Sequence, residues 1–130
     1  MEVTDNIIGL GHVGIPTKDL EGTVAFYEGL GFRAVHRTEN PDSGNLVTFL
    51  ELNGVIIETW NSQEVSGRWG AIDHIALAVA DVEQAYAWVS KRGYRMTDLE
   101  VRYLPFWENG VRFFTIEGPN REKVEFCQKL

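Results

Sequence analysis

The chain has 130 residues, of which 44% are hydrophobic and 24% are charged, values ordinary for one compact soluble domain with a hydrophobic core. Its net charge of −7 argues against binding to phosphate backbones, and no apolar run is long enough to span a bilayer. The single cysteine, Cys127, cannot form an internal disulfide, and residues 1–6 have neither a basic nor a long apolar stretch, so we expect no secretory signal. We therefore expect a cytoplasmic protein that acts on a small molecule, with neither nucleic acid nor a membrane as a partner.

The sequence contains an internal repeat. Residues 11–33 align without a gap to residues 73–95, at an offset of 62 positions. Six of the 23 paired positions are identical, namely His12/His74, Asp19/Asp81, Glu21/Glu83, Ala25/Ala87, Gly31/Gly93 and Arg33/Arg95.

Both repeats begin with the same pair of elements, a strand followed by a helix. The strands are predicted from short apolar runs at residues 10–15 and 72–79. Asp19 and Asp81 suit the N-caps of the two helices, and Gln84 after Asp81 completes the pattern of a capping box.

Each helix is expected to run for about ten residues and to stop at Gly31 or Gly93, since glycine permits a left-handed backbone. Three strands should follow each helix. They are predicted at residues 33–37, 46–52 and 55–60, with Asn53-Gly54 as a hairpin turn, and at 95–99, 111–117 and 123–128, with a turn at 118–120.

These elements predict an α+β fold in which two βαβββ modules form a cupped mixed sheet. The modules are residues 7–61 and 71–128 of a single domain 1–130, joined by a linker at 62–70. Neither module should be stable alone, because a four-stranded sheet with one helix leaves an apolar face exposed.

Strand alternation places four polar side chains on the faces away from the helices: His12, Glu58, His74 and Glu125. In the second repeat His74 shares its face with two alanines, which leaves room for a cavity. One strand histidine is more often a hydrogen-bonded structural residue, and one strand glutamate is usually solvated. The recurrence of both in each repeat favours metal ligands, and imidazole with carboxylate suits zinc, nickel, cobalt, manganese or iron.

Six segments carry a family resemblance. They are GHVGI around His12, FYEGLGF at 26–32, RTENP at 37–41, VIIE at 55–58, DHIALAV around His74 and VEF around Glu125. Over residues 8–127 the chain resembles the vicinal-oxygen-chelate superfamily, which includes bleomycin-resistance proteins, and within it glyoxalase I (lactoylglutathione lyase) most.

The resemblance implies one divalent metal held by His12, Glu58, His74 and Glu125. It implies a lyase or isomerase that moves a proton on an α-oxo-aldehyde thiohemiacetal through an enediolate, with Glu125 as the catalytic base and Glu58 as the symmetric candidate. Glutathione or another thiol would be the co-substrate, and the protein would be a homodimer with sites shared between chains. The alternatives are a CoA-ester epimerase of the same superfamily and a non-catalytic small-molecule-binding member.

Several residues near the expected site need an interpretation. Asn61 resembles a thiol-contacting residue of the family, and Trp60, Phe106 and Trp107 are further candidates for substrate contact. The aromatic segment 102–110 is equally compatible with a substrate lid and with a plug at a dimer interface. Cys127 is interpreted as an inert buried thiol in preference to a site residue, and His36 as structural or exposed.

Overall fold

A computed structural model of the protein describes residues 2–6, 8–10, 12–70, 72 and 74–130. The chain divides into two compact units, Met1–Val65 and Ser66–Leu130, and the division lies inside the predicted linker. Within the described ranges, every helix is too short or too polar to cross a membrane.

The first unit contains one four-stranded sheet and one long helix. Its elements are α1 (Val3–Asn6), β1 (Val13–Thr17), α2 (Leu20–Gly29), β2 (Arg33–Glu39), β3 (Leu46–Leu52) and β4 (Val55–Asn61). The strand order is β1-β4-β3-β2, and β1 runs parallel to β4 while the other pairs are antiparallel.

The second unit repeats this arrangement with one additional strand. Its elements are β5 (His74–Ala78), α3 (Val82–Ser90), β6 (Arg95–Met96), β7 (Arg102–Leu104), β8 (Val111–Glu117) and β9 (Lys123–Lys129). The order is β5-β9-β8-β6, with β7 also paired to β8, and β5 runs parallel to β9. The predicted α+β class is therefore confirmed. The first unit has the predicted βαβββ order, and the second has that order with one strand more.

Both predicted helix starts have the expected N-cap hydrogen bond. The Asp19 carboxylate accepts a hydrogen bond from Gly22 N at 2.9 Å, and the Asp81 carboxylate accepts one from Gln84 N at 3.1 Å. Gly31 follows α2 with a φ of 106°, in the left-handed region where glycine avoids steric cost. These local signals fix where each helix starts and where the chain turns back to the sheet.

The prediction for the first strand is corrected, because β1 begins at Val13 and continues through Pro16 to Thr17, beyond the predicted end. Proline lacks an N–H and is excluded from central strands, but β1 is an edge strand with β4 as its neighbour. Gly11, part of the predicted strand 10–15, lies outside the described residues. Asp73, part of the predicted strand 72–79, lies outside them as well.

The segment after α3 also differs from the prediction. The expected strand 95–99 ends at Met96, because the N–H groups of Thr97 and Asp98 both turn to Thr115 O, at 3.0 and 3.3 Å. Arg102–Leu104, part of the aromatic segment for which no strand was predicted, forms β7 against β8. The aromatic segment is therefore a hairpin, with residues 105–110 at its tip. The Tyr103 ring packs directly on Gly110 where the hairpin tip meets β8, since a Cβ at that position would lie 2.4 Å from the ring.

Each sheet buries the face that packs on its own helix. In β4, Ile57 and Thr59 are buried, whereas Glu58 and Trp60 between and beyond them are only half-buried. In the second unit the rings of Phe114 and Phe126 stack at 4.8 Å on the helix side of β8 and β9. The opposite face of each sheet thus remains available for polar side chains, and we call it the site face.

Candidate functional site

The first unit brings His12 and Glu58 together on its site face. His12 stands one residue before β1, and Glu58 lies in β4, which is the parallel neighbour of β1. His12 Nε2 is 3.3 Å from Glu58 Oε1, and both side chains are partly exposed, at 46% and 28%.

The second unit brings His74 and Glu125 together in the same manner. His74 begins β5 and Glu125 lies in its parallel neighbour β9. His74 Nε2 is 3.7 Å from Glu125 Oε1, with the side chains 42% and 20% exposed.

One strand register explains both pairs. Glu58 is the partner of Gly14, which is two residues after His12, and Glu125 is the partner of Ala76, which is two residues after His74. Side chains two residues apart point to the same face of a strand, so each histidine and glutamate lie diagonally across one parallel pair. Gly14 and Ala76 have small or no side chains, so nothing on these strands separates each histidine from its glutamate.

Aromatic rings surround the first pair. The Phe49 ring lies 5.7 Å from the His12 ring and 5.9 Å from the His36 ring. A Cβ on Gly14 would lie 3.2 Å from the Trp60 ring, so Trp60 packs closely over the strand beside Glu58. His36 is exposed, one of the two outcomes expected for it, but its place on the site face was not foreseen, because it has no partner in the repeat.

The second pair instead lines a cavity of 660 Å³ formed entirely by residues of its own unit. Thr115 and Cys127 contribute to its walls beside His74 and Glu125. Phe106 and Trp107, from the tip of the hairpin, line it as well, and they remain 55% and 69% exposed. The hairpin tip therefore forms part of the cavity wall.

The difference between the two site faces follows from two substitutions in the repeat. Phe49 is the strand partner of Glu58, and the partner of Glu125 is Thr115. Two residues after the glutamate, the first unit has Trp60 and the second has Cys127. Small side chains therefore stand in the second unit where large rings fill the first, and the sequence shows this only once the register is known.

Cations lie against aromatic rings in the wall of the cavity. Lys123 Nζ is 3.5 Å from the centre of the Trp69 ring, and Lys129 Nζ is 3.9 Å from that of Trp107. Trp107 has a φ of 62°, an uncommon conformation for a bulky residue that costs about 1–3 kcal/mol. The fold therefore places the Trp107 ring against Lys129 even though the backbone conformation of Trp107 is energetically unfavourable.

Cys127 is corrected from an inert buried thiol to a half-buried residue of the cavity. Burial raises the pKa of its thiol, the charge of Glu125 raises it further, and the charge of Lys129 lowers it. The charges of Glu125 and Lys129 therefore both act on a thiol in the wall of the same cavity.

The remaining candidates are placed separately. Asn61 ends β4 as the partner of Thr17 and is half-buried, and Trp60 lies on the site face of the first unit. Within each unit, the described His, Cys, Asp and Glu residues form no cluster of three that could hold a metal, so each unit supplies one His–Glu pair.

The model of the Glyoxalase/Bleomycin resistance protein/Dioxygenase superfamily matches residues 9–126. The chain belongs to this superfamily. It is similar to the uncharacterized protein YwbC of Bacillus subtilis (strain 168), with 31% identity over 127 residues that cover 92% of this chain and 97% of that protein.

Two solved structures share the fold. A glyoxalase family protein from Enterococcus faecalis has a TM-score of 0.79 at 21% identity, covering 94% of this chain and 98% of that one. The fosfomycin resistance protein FosX from Listeria monocytogenes, in complex with Mn(II) and sulfate, has a TM-score of 0.71 at 18% identity, covering 95% and 94%. The superfamily includes metal-dependent enzymes as well as binding proteins, so the fold alone does not assign a reaction.

The opposing effects of Glu125 and Lys129 on Cys127 can be measured by alkylation of this single thiol. In chelator-treated protein, the pH midpoint of the iodoacetamide reaction should lie above the ordinary cysteine pKa of about 8.5. Glu125→Gln should lower the midpoint and Lys129→Met should raise it, since each removes the charge responsible for the opposite shift.

Lys91→Met, at the exposed end of α3, is the matched control for loss of a charge and should leave the midpoint unchanged. If the two cavity variants shift the midpoint in the same direction, the described arrangement of charges is wrong.

Proposed function

We propose that this superfamily member is a metal-dependent enzyme of the glyoxalase I kind, a lyase or isomerase acting on an α-oxo-aldehyde thiohemiacetal. The observation that carries the proposal is the pair of His–Glu diagonals in matching register, His12 with Glu58 and His74 with Glu125. Packing alone gives no reason for the same polar pair to recur on both site faces.

Each His–Glu pair has the spacing of two ligands on one divalent metal. Two ligands bound to one zinc at ordinary bond lengths in tetrahedral geometry lie about 3.4 Å apart, and the two N–O distances are 3.3 and 3.7 Å. A distance of 3.7 Å exceeds the reach of a hydrogen bond. Two carboxylates would also offset the 2+ charge. The fold relative FosX binds Mn(II), which supports a metal in this chain too.

Glu125 is the proposed base, and the cavity is the reason for preferring it. Its carboxylate lines the cavity, whereas Glu58 stands beside the Phe49 and Trp60 side chains on the other site face. Glu125 would take the proton from one carbon and return it to the neighbouring carbon. A bound divalent metal would supply Lewis-acid polarisation of the two vicinal oxygens. Glutathione or another thiol would be the co-substrate.

Activity should depend on metal and produce a thioester. Protein loaded separately with zinc, nickel, cobalt, manganese or iron(II) should convert methylglyoxal with glutathione, cysteine or coenzyme A to a thioester, followed by its ultraviolet absorbance. Metal content is measured in parallel by plasma mass spectrometry, and chelation should abolish turnover. If metal-loaded protein forms no thioester with any of these thiols, the proposed reaction is wrong.

Replacing the proposed base should separate catalysis from metal binding. Glu125→Gln should lower kcat by about a hundredfold or more, because the amide cannot carry the proton, while three ligands retain most of the metal. Glu28→Gln, on the exposed face of α2, is the matched control and should change neither quantity. Equal losses of metal and kcat in Glu125→Gln would reduce Glu125 to a structural ligand.

We also propose a homodimer in which each site takes His12 and Glu58 from one chain and His74 and Glu125 from the other. Mixing inactive His12→Ala and His74→Ala chains under conditions of subunit exchange should then restore part of the activity, because one site per mixed dimer is intact. Each variant incubated alone is the control. An inactive mixture that has demonstrably exchanged subunits would place each site within one chain.

A further inference from the structure

The cavity of the second unit combines aromatic walls with an excess of positive charge. Its lining includes three cations against two carboxylates, in a chain whose net charge is −7. The cations are Arg102, Lys123 and Lys129, and the carboxylates are Asp98 and Glu125. A local excess opposite in sign to the whole molecule suits an anionic ligand.

The two carboxylates already have partners within the lining. Asp98 Oδ1 lies 3.4 Å from Arg102 Nη1, and Glu125 belongs with His74 to the proposed metal site. Lys129 is held by the Trp107 ring, which attracts the ammonium but carries no net charge and so does not neutralise it. In the part of the chain that the structure describes, the ion pairs do not include Lys129.

The rest of the lining is apolar or small. Phe106, Trp107 and Phe113 provide flat aromatic surfaces, and Ala76 and Thr115 leave the space between them open. A volume of 660 Å³ lies within the range of small-molecule sites. The bound molecule should therefore have a flat apolar body in addition to its anionic group.

One strand carries the groups that would act on the two ends of such a molecule. Glu125, Cys127 and Lys129 alternate along the site face of β9, and all three line the cavity. Lys129 lies near the end of β9, beyond the stretch from Lys123 to Cys127 that pairs with β5. It is therefore separated along the strand from the His74–Glu125 pair.

We propose that the substrate lies on the second unit, and that it is a small acid with a flat apolar body whose oxyacid group, a carboxylate or a phosphonate, binds Lys129. This inference rests on the proposed function in using the same cavity and in taking Glu125 as the base. The proton-transfer end of the molecule would lie at Glu125, and the acidic end would select the substrate.

The test uses metal-free protein, so that binding is measured without the proposed reaction. Phenylacetate, phenylphosphonate and the neutral phenylacetamide are titrated by calorimetry. Both acids should bind, and the amide should bind about tenfold more weakly, as expected for loss of one charge-assisted hydrogen bond. The acid that binds more tightly identifies the oxyacid class. Amide binding equal to that of both acids, or no binding of any probe, would overturn the proposal.

Two variants locate the binding. Lys129→Met should weaken both acids about tenfold and leave the amide unchanged, because only the ionic contact is lost. Thr115→Phe should abolish binding of all three probes, since it places in the second unit the residue that occupies the equivalent position, Phe49, in the first. Lys91→Met removes an exposed charge just after the end of α3 and should change nothing. Unchanged acid binding in Lys129→Met would refute the assignment.

Folding is checked for each variant by circular dichroism. If Thr115→Phe does not fold, the exposed Lys129→Met still decides the question. The two proposals fail separately. Selective acid binding by protein that never forms a thioester would sink only the reaction, whereas thioester formation without acid selectivity would sink only the substrate class.

Discussion

The pairing of the first and last strands of each unit is the constraint on which the rest of the structure depends. β1 with β4 and β5 with β9 are the parallel pairs described here, while their neighbours are antiparallel. A parallel pair requires a long crossover, and in each unit the crossover consists of the helix and the intervening strands. Because the crossover returns the chain beside its start, a histidine near the start meets a glutamate from the end. Without that register the two residues would be ordinary solvated side chains.

Much of the fold could be predicted from local signals. Asp19 and Asp81 start the helices, and Asn53 and Gly54 turn with φ of 50° and 86°, as a two-residue hairpin demands. Such features depend on neighbouring residues and are legible in one sequence. The alternation that placed Glu58 and Glu125 on the site faces also held, because one side of each sheet is buried by its helix.

What the sequence left unresolved depends on non-local pairing. The end of β6 is decided by hydrogen bonds from Thr97 and Asp98 to Thr115, a residue about twenty positions later. β7 has aromatic and charged residues that also suit a loop, and only its pairing with β8 makes it a strand. The exposure of Cys127 to the cavity likewise depends on the small size of Thr115, the strand partner of the nearby Glu125. Periodicity identifies the face of a side chain but not the empty space in front of it.

The alternation along β9 has a consequence for molecular length. Residues two apart on a strand are separated by about 6.6–6.8 Å, so the backbone positions of Glu125 and Lys129 stand about 13 Å apart. A strand bonded on both sides cannot stretch, and β9 is bonded to β5 and β8 along the stretch that includes Glu125. The backbone of β9 therefore sets the distance between the Glu125 carboxylate and the Lys129 ammonium, and only the reach of the two side chains adjusts it. Inserting two residues between Glu125 and Lys129 would lengthen this distance by about 6.6–6.8 Å and keep both side chains on the same face of the sheet.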